Sequence, residues 1–200
     1  MDYLVNSSGV VASDVTGVGT ARSILAAATY GFDKAIFGYG TNPSGRSSLT
    51  NLVNNSGVVA ADVSGVGTAR AVLAAASYGG DKAIFGYGVS SPNVSLTNLV
   101  SNSGVVAADT TGVGTARQAL SAVGYGGDKA IFAFGTTGSR TNISNLVSNS
   151  GVVASDTTGV GTARNELAGA SYGGDKGIFG YGSTGSRVSM TNLVSNTGVV

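Results

Sequence analysis

The chain has no cysteine, no histidine and no tryptophan, only two prolines, and a single glutamate, Glu166. Without cysteine there are no disulfides and no thiolate nucleophile, and nothing marks the redox compartment. Without histidine there is neither a Ser-His-Asp triad nor an imidazole metal ligand. Charge is scarce too: 10% of residues, far below the usual quarter, with a net charge of +1. The basic residues are scattered rather than gathered into a patch with interleaved aromatics, so nucleic acid is not expected as a partner. No apolar run approaches the roughly eighteen residues of a membrane span. The opening Met1-Asp2-Tyr3-Leu4-Val5 lacks the basic-then-apolar pattern of a secretory signal. The expectation is a protein that is not an enzyme, takes no cofactor or metal, and does not enter a membrane. Low charge without cysteine suits a rigid module in an exterior setting, either extracellular or on a virion.

What the chain does have is glycine, 33 residues of it, with eight tyrosines and 42% hydrophobic residues. That composition describes a tight, turn-rich β protein. No strict three-residue glycine period marks collagen, and the valine, leucine and isoleucine content argues against disorder. The glycines are organised by a repeat. Residues 70–88 read R-A-V-L-A-A-A-S-Y-G-G-D-K-A-I-F-G-Y-G, and close copies occupy 22–40, 117–135 and 164–182. Their leading arginines, Arg22, Arg70, Arg117 and Arg164, lie 48, 47 and 47 residues apart. Within a copy, Leu73–Tyr78 and Lys82–Tyr87 flank Gly79-Gly80-Asp81. Glycine supplies positive φ there and aspartate hydrogen-bonds its own backbone, so the pattern predicts a β-hairpin. Alanine-rich composition leaves a helix open for the first run, although it is short for one. Strand alternation would put Ala83, Phe85 and Tyr87 on one face and Ile84 and Gly86 on the other.

A second segment, Leu-Val followed by Gly-Val-Val, occurs five times, once more than the hairpin. It predicts two further strands per unit, about residues 50–54 and 57–62 in the first copy. Four short strands every 47 residues is the arrangement of a propeller blade. The fold class expected is all-β: one β-propeller domain over 1–200, most simply of four blades, with five blades or an oligomeric ring as alternatives. The repeats run about 9–56, 57–103, 104–150 and 151–197, and segments 1–8 and 198–200 complete or cap the ring. In the closed version, residues 9–14 lie beside the strand at 192–196. The same terminal strands offer a route to self-association.

The order Arg, short apolar strand, glycine turn, I-F-G-Y-G, variable loop, N-L-V strand and final strand resembles a kelch-type repeat over nearly the whole chain. The kelch double glycine is replaced here by Gly86-Tyr87-Gly88, and the later tryptophan is missing. That resemblance implies a propeller of four-stranded blades. The Y-G-G-D-K-A-I-F-G-Y-G and N-L-V-S-N-T-G-V-V copies are also similar to repeat proteins of unassigned function encoded by environmental bacteriophages.

Sixteen of the twenty-one charged residues (11 basic, 10 acidic) are four copies of four positions. A catalytic group is needed once per site, so fourfold repetition points to a structural task. Arg22, Arg70, Arg117 and Arg164 with Asp14, Asp62, Asp109 and Asp156 are the expected ties between blades, since a guanidinium forks to carbonyls or a carboxylate. Asp33, Asp81, Asp128 and Asp175 cap turns. Tyr30, Tyr78, Tyr125 and Tyr172 are expected in the packing between blades. Two motif-like strings carry no chemistry. Asp109-Thr110-Thr111-Gly112 is one residue too long for an aspartic-protease signature. In Gly65-Val66-Gly67-Thr68-Ala69-Arg70 an arginine stands where a dinucleotide loop needs its third glycine.

The copies diverge in two places: the loop after Gly-Tyr-Gly, and the two residues following each repeated arginine. Divergence in surface loops is where binding or neutral drift would appear. The candidate ligand-binding residues are therefore Arg46, Arg140 and Arg187, the arginines outside the repeated set, with Asn93 and Asn142. The functional expectation is a non-catalytic, lectin-like binding module for a glycan or cell-surface receptor. The alternative is a purely structural scaffold with no ligand.

Overall fold

A computed structural model describes residues 5–159 and 161–200, and every regular element in them is a β-strand. Four copies of the predicted hairpin form. They are β1 (Ala26–Tyr30) with β2 (Lys34–Gly38), β6 (Ala74–Tyr78) with β7 (Lys82–Gly86), β9 (Ser121–Tyr125) with β10 (Lys129–Ala133), and β12 (Ala168–Tyr172) with β13 (Lys176–Gly180). The glycine turn acts as its chemistry dictates: Gly79 and Gly80 sit at φ 62° and 80°, where a side chain would be strained. A third antiparallel strand pairs with the second strand of each hairpin. These are β5 (Thr50–Val53), β8 (Thr97–Val100), β11 (Ser144–Val147) and β14 (Thr191–Val194). The first unit adds a small hairpin, β3 (Thr41–Asn42) with β4 (Gly45–Arg46).

The segment expected as a fourth strand is reduced to two isolated bridges in each of the first three units, and none is made to β14 among the described residues. In the first unit, Val59 bridges Val53 and Val63 bridges Thr50; Val106 and Thr110, then Val153 and Thr157, repeat this on β8 and β11. Each of these three structural units therefore runs from the lead-in to the repeated arginine as far as this bridged segment, for example 65–110. The units straddle the divisions at 57, 104 and 151. Near the N-terminus, Val11 bridges Val5, and residues 9–14 make no strand pairing with β14.

The core lies between the units, not inside them. Tyr30, Ile36 and Tyr39 of the first unit cluster with Leu73, Ala83, Phe85 and Val100 of the second. Equivalent clusters join the second unit to the third and the third to the fourth. A three-stranded sheet this small cannot hide its own apolar face, so stacking on a neighbour is what removes that face from water. Alternation holds along the second strand, with Ala83 and Phe85 packed toward the first unit and Ile84 toward the third, while Tyr87, at φ 62° beyond the strand's end, joins the Ile84 side. Ala83, Ile84 and Phe85 are all fully buried, because β7 is the central strand of its sheet and neighbouring units cover both sides. Tyr30, Tyr78 and Tyr125 are buried between units as expected, whereas Tyr172 in the last unit is exposed.

Candidate functional site

Two kinds of polar constellation repeat along the array, and they differ in what they leave free. The first surrounds the repeated arginine. Arg70 is fully buried. Its Nε donates to Tyr87 O at 3.0 Å, Nη1 to Thr68 O at 3.2 Å and Nη2 to Asn98 Oδ1 at 2.6 Å. Asn98 Nδ2 donates to Asp109 Oδ1 at 3.0 Å, and the other Asp109 oxygen accepts from the Thr68 amide at 2.9 Å and hydroxyl at 2.6 Å. Arg70 Nη1 lies 3.7 Å from Asp109. The cycle Arg70–Asn98–Asp109–Thr68 thus fastens the lead-in of the unit to its own last segment. Burial opposes the charged form of Asp109, but the hydrogen bonds from Thr68 and Asn98 and the Arg70 charge outweigh it and hold the carboxyl below its usual range.

Arginine reaches the neighbouring unit through its flat face rather than through a carboxylate. The Arg70 guanidinium lies 4.2 Å over the Tyr39 ring, Arg117 4.3 Å over Tyr87, and Arg164 4.2 Å over Phe134. Each of those rings meets the next unit's phenylalanine edge-on, with centroids 5.2, 5.1 and 5.6 Å apart. The widest spacing occurs where Ala133 replaces the glycine of the other copies. At Gly38 and Gly86 an added Cβ would lie 2.7 and 2.6 Å from the facing ring, so glycine is what lets that ring come close. Burial pushes the Tyr39 and Tyr87 phenols up to about 12.

The expected aspartate ties are placed differently from one another. Asp62, Asp109 and Asp156 each close their own unit onto Thr20, Thr68 and Thr115. Asp14 is exposed and makes no hydrogen bond or ion pair among the described residues. Asn51, Asn98, Asn145 and Asn192 are not among the sequence candidates, although their recurrence in every N-L-V copy is a visible signal. Asn98 and Asn192 anchor Arg70 and Arg164, and Asn51 anchors Arg22.

The second constellation is a rim. The two divergent stretches of each unit, far apart in sequence, are paired by a single bridge: Ser23 with Thr41, Ala71 with Val89, Gln118 with Thr136, and Asn165 with Ser183. The next residue in each case, Ile24, Val72, Ala119 and Glu166, has a positive φ of 48–56°. These residues form a backbone ladder across units, Val72 N to Ile24 O, Ala119 N to Val72 O and Glu166 N to Ala119 O, each 3.0 Å. The rim is therefore continuous along all four units. It carries Arg46, Arg140, Arg187 and Glu166, none of which forms an ion pair among the described residues, whereas each lysine pairs with its neighbouring turn aspartate at 2.6–3.1 Å.

The five candidate binding residues all lie on this rim, in unequal settings. Arg46 ends the small β3–β4 hairpin and is exposed, as is Arg187, which bridges Ser183. Arg140 is exposed and donates from Nε to Asn165 Oδ1 at 3.2 Å, across to the next unit. Asn93 and Asn142 are half-buried and also reach the next unit, donating to Thr136 O at 3.3 Å and Gly161 O at 2.7 Å. The rim presents three guanidinium groups, a carboxylate, and backbone-fixed hydroxyl and amide groups. That set suits hydrogen bonding to a polar, carboxylate-bearing ligand. No protein-family model matches the chain, and no curated protein is significantly similar to it.

Proposed function

We propose that the chain is a non-catalytic binding module built of kelch-like propeller blades, with a virion or other exterior setting, whose rim takes a carbohydrate bearing a carboxylate or a receptor that displays one. One observation carries this reading: the two divergent stretches of every unit converge on a single continuous rim, while the repeated charges other than Asp14 are spent on turns and joints. Arg46, Arg140 and Arg187 give the carboxylate its fork, and short loops on a packed β scaffold limit the ordering cost of binding. Four similar units with three arginines supply unequal weak sites whose avidity multiplies.

A glycan array containing neutral, sialylated and uronate-bearing saccharides is the test. Acidic glycans should be retained, and the triple variant Arg46→Ala, Arg140→Ala, Arg187→Ala should lose them at an unchanged melting temperature. Normal binding by that variant would move the site off the rim. A second reading, an architectural array with no ligand, is favoured by the bonds that Asn93, Arg140 and Asn142 make across units. An array with no glycan bound would transfer the assignment to it.

A further inference from the structure

The three joints are one interface used three times, and each side of it appears once more, unused, at an end of the array. On the side facing the next unit, a joint uses a glycine amide beside the stacked ring (Gly40 to Arg70 O, Gly88 to Arg117 O, Gly135 to Arg164 O, 2.9–3.0 Å) and the hairpin-turn amide (Gly31 to Asp81 O, Gly79 to Asp128 O, Gly126 to Asp175 O, 2.6–2.7 Å). In the fourth unit the equivalent amides, Gly182 and Gly173, have no acceptor among the described residues. The equivalent ring, Tyr181, is 63% exposed where Tyr39 and Tyr87 are fully buried. Among the described residues Gly180 faces no ring, only its own Thr191.

The first unit shows the opposite half. Around Arg22, Ala27 and Phe37 lies an open cleft of about 780 Å³ where the other units receive a ring. Phe37 is only half-buried, against full burial of its counterparts Phe85, Phe132 and Phe179. Among the described residues Arg22 has no ring beneath it, and its buried Nε has no partner. The Arg22 and Asp33 carbonyls, equivalent to the acceptors in every joint, are unused among the described residues. Donors at one end thus match acceptors at the other, and a ring matches a guanidinium. The sheets β1 and β12 share no interface like the three internal ones.

The geometry points to head-to-tail association, in which the Tyr181 face of one copy seats in the Arg22 cleft of a second copy and recreates the internal joint. The occupant is a second copy because the cleft repeats a surface whose partner is already known three times over within the chain. Such a contact is heterologous, so it propagates into a ring or a filament instead of stopping at a symmetric dimer. It does not depend on the rim binding anything.

Complementary blocked variants test it. Tyr181→Asp removes one face, and Ala27→Glu, an exposed change at the cleft, removes the other without touching the Arg22 hydrogen bonds. By light scattering, the unaltered chain should exceed its 19.5 kDa mass in a concentration-dependent way, and each variant alone should stay at 19.5 kDa. An equimolar mixture of the two should give a species of about 39 kDa, twice the chain mass, and nothing larger. Circular dichroism on each variant confirms the fold. The inference is overturned if the unaltered chain stays at 19.5 kDa at every concentration, as closure upon itself would require, or if the mixture remains monomeric.

Discussion

Arg22 and Arg70 end the same six-residue string, Gly-Val-Gly-Thr-Ala-Arg, yet the two guanidiniums live in different places. Arg70 is sealed beneath Tyr39, with Nε, Nη1 and Nη2 all donating. Arg22 has turned to donate to the Leu49 and Tyr39 carbonyls and to Asn51, leaving Nε without an acceptor among the described residues. Identical local sequence therefore sets the reach of the side chain. The neighbouring unit sets its environment, and most of the energetic difference between joint and end face follows from that neighbour.

The sharpest way to break the comparison is to remove each arginine in turn. Arg70→Ala strips a buried, hydrogen-bonded cation and takes the donor from Asn98 Oδ1 and from two carbonyls, a loss of about 3 kcal/mol or more. Arg22→Ala removes a half-exposed group from the open end and should cost about 1 kcal/mol. Urea midpoints taken in the Tyr181→Asp background, where the Arg22 end stays open, compare the two, and equal losses would show that the covering ring contributes nothing.

A smaller effect comes from alkali. The phenols of Tyr39 and Tyr87 are raised to about 12, above the ordinary 10, so the folded state holds their protons more tightly than the unfolded chain does. The stability they contribute is complete below about pH 10 and fades as pH climbs through about 12. The third joint has Phe134 in this place and cannot share the effect. The double variant Tyr39→Phe, Tyr87→Phe should flatten the alkaline limb of a stability profile. A limb with undiminished slope would assign the loss to other groups.

The smallest expected change is a gain. Phe32 occupies the turn position held by Gly80, Gly127 and Gly174 in the other units, at φ 69° and 83% exposed. Phe32→Gly removes left-handed strain without removing packing and should stabilise the first unit by up to about 1 kcal/mol. A drop in the melting temperature would mean that the exposed ring makes contacts of its own.

Much of the scaffold could be read from the sequence because its signals are local. The Gly-Gly-Asp turn and the β-rich runs beside it specify the hairpins, and the repeat length specifies how many there are. The 57–62 strand was overstated: only two bridges hold such a segment to its sheet, and the short-range pattern does not count ladder bonds. Burial of both faces of β7 was invisible, since alternation describes one strand and not what neighbouring sheets lay upon it. The arginine–ring stack escaped for the same reason, as its partners lie 30 or more residues apart in different units. The rim was half legible. Divergence marked both of its stretches, but nothing in the sequence said that Ala71 would pair with Val89 and merge them into one surface.

The first unit is one residue longer than the rest, and the extra residue is taken up between Gly40 and Thr50, in the stretch that holds the small β3–β4 hairpin. The stack across the following joint is nevertheless 4.2 Å, the same as at the others to within 0.1 Å. Joint geometry is thus uncoupled from loop length. In genetic terms, codons can be added to or lost from a rim loop without disturbing unit spacing, and an in-frame duplication of one whole unit brings with it every contact needed to seat the copy. Such a gene can vary its unit number and its surface independently.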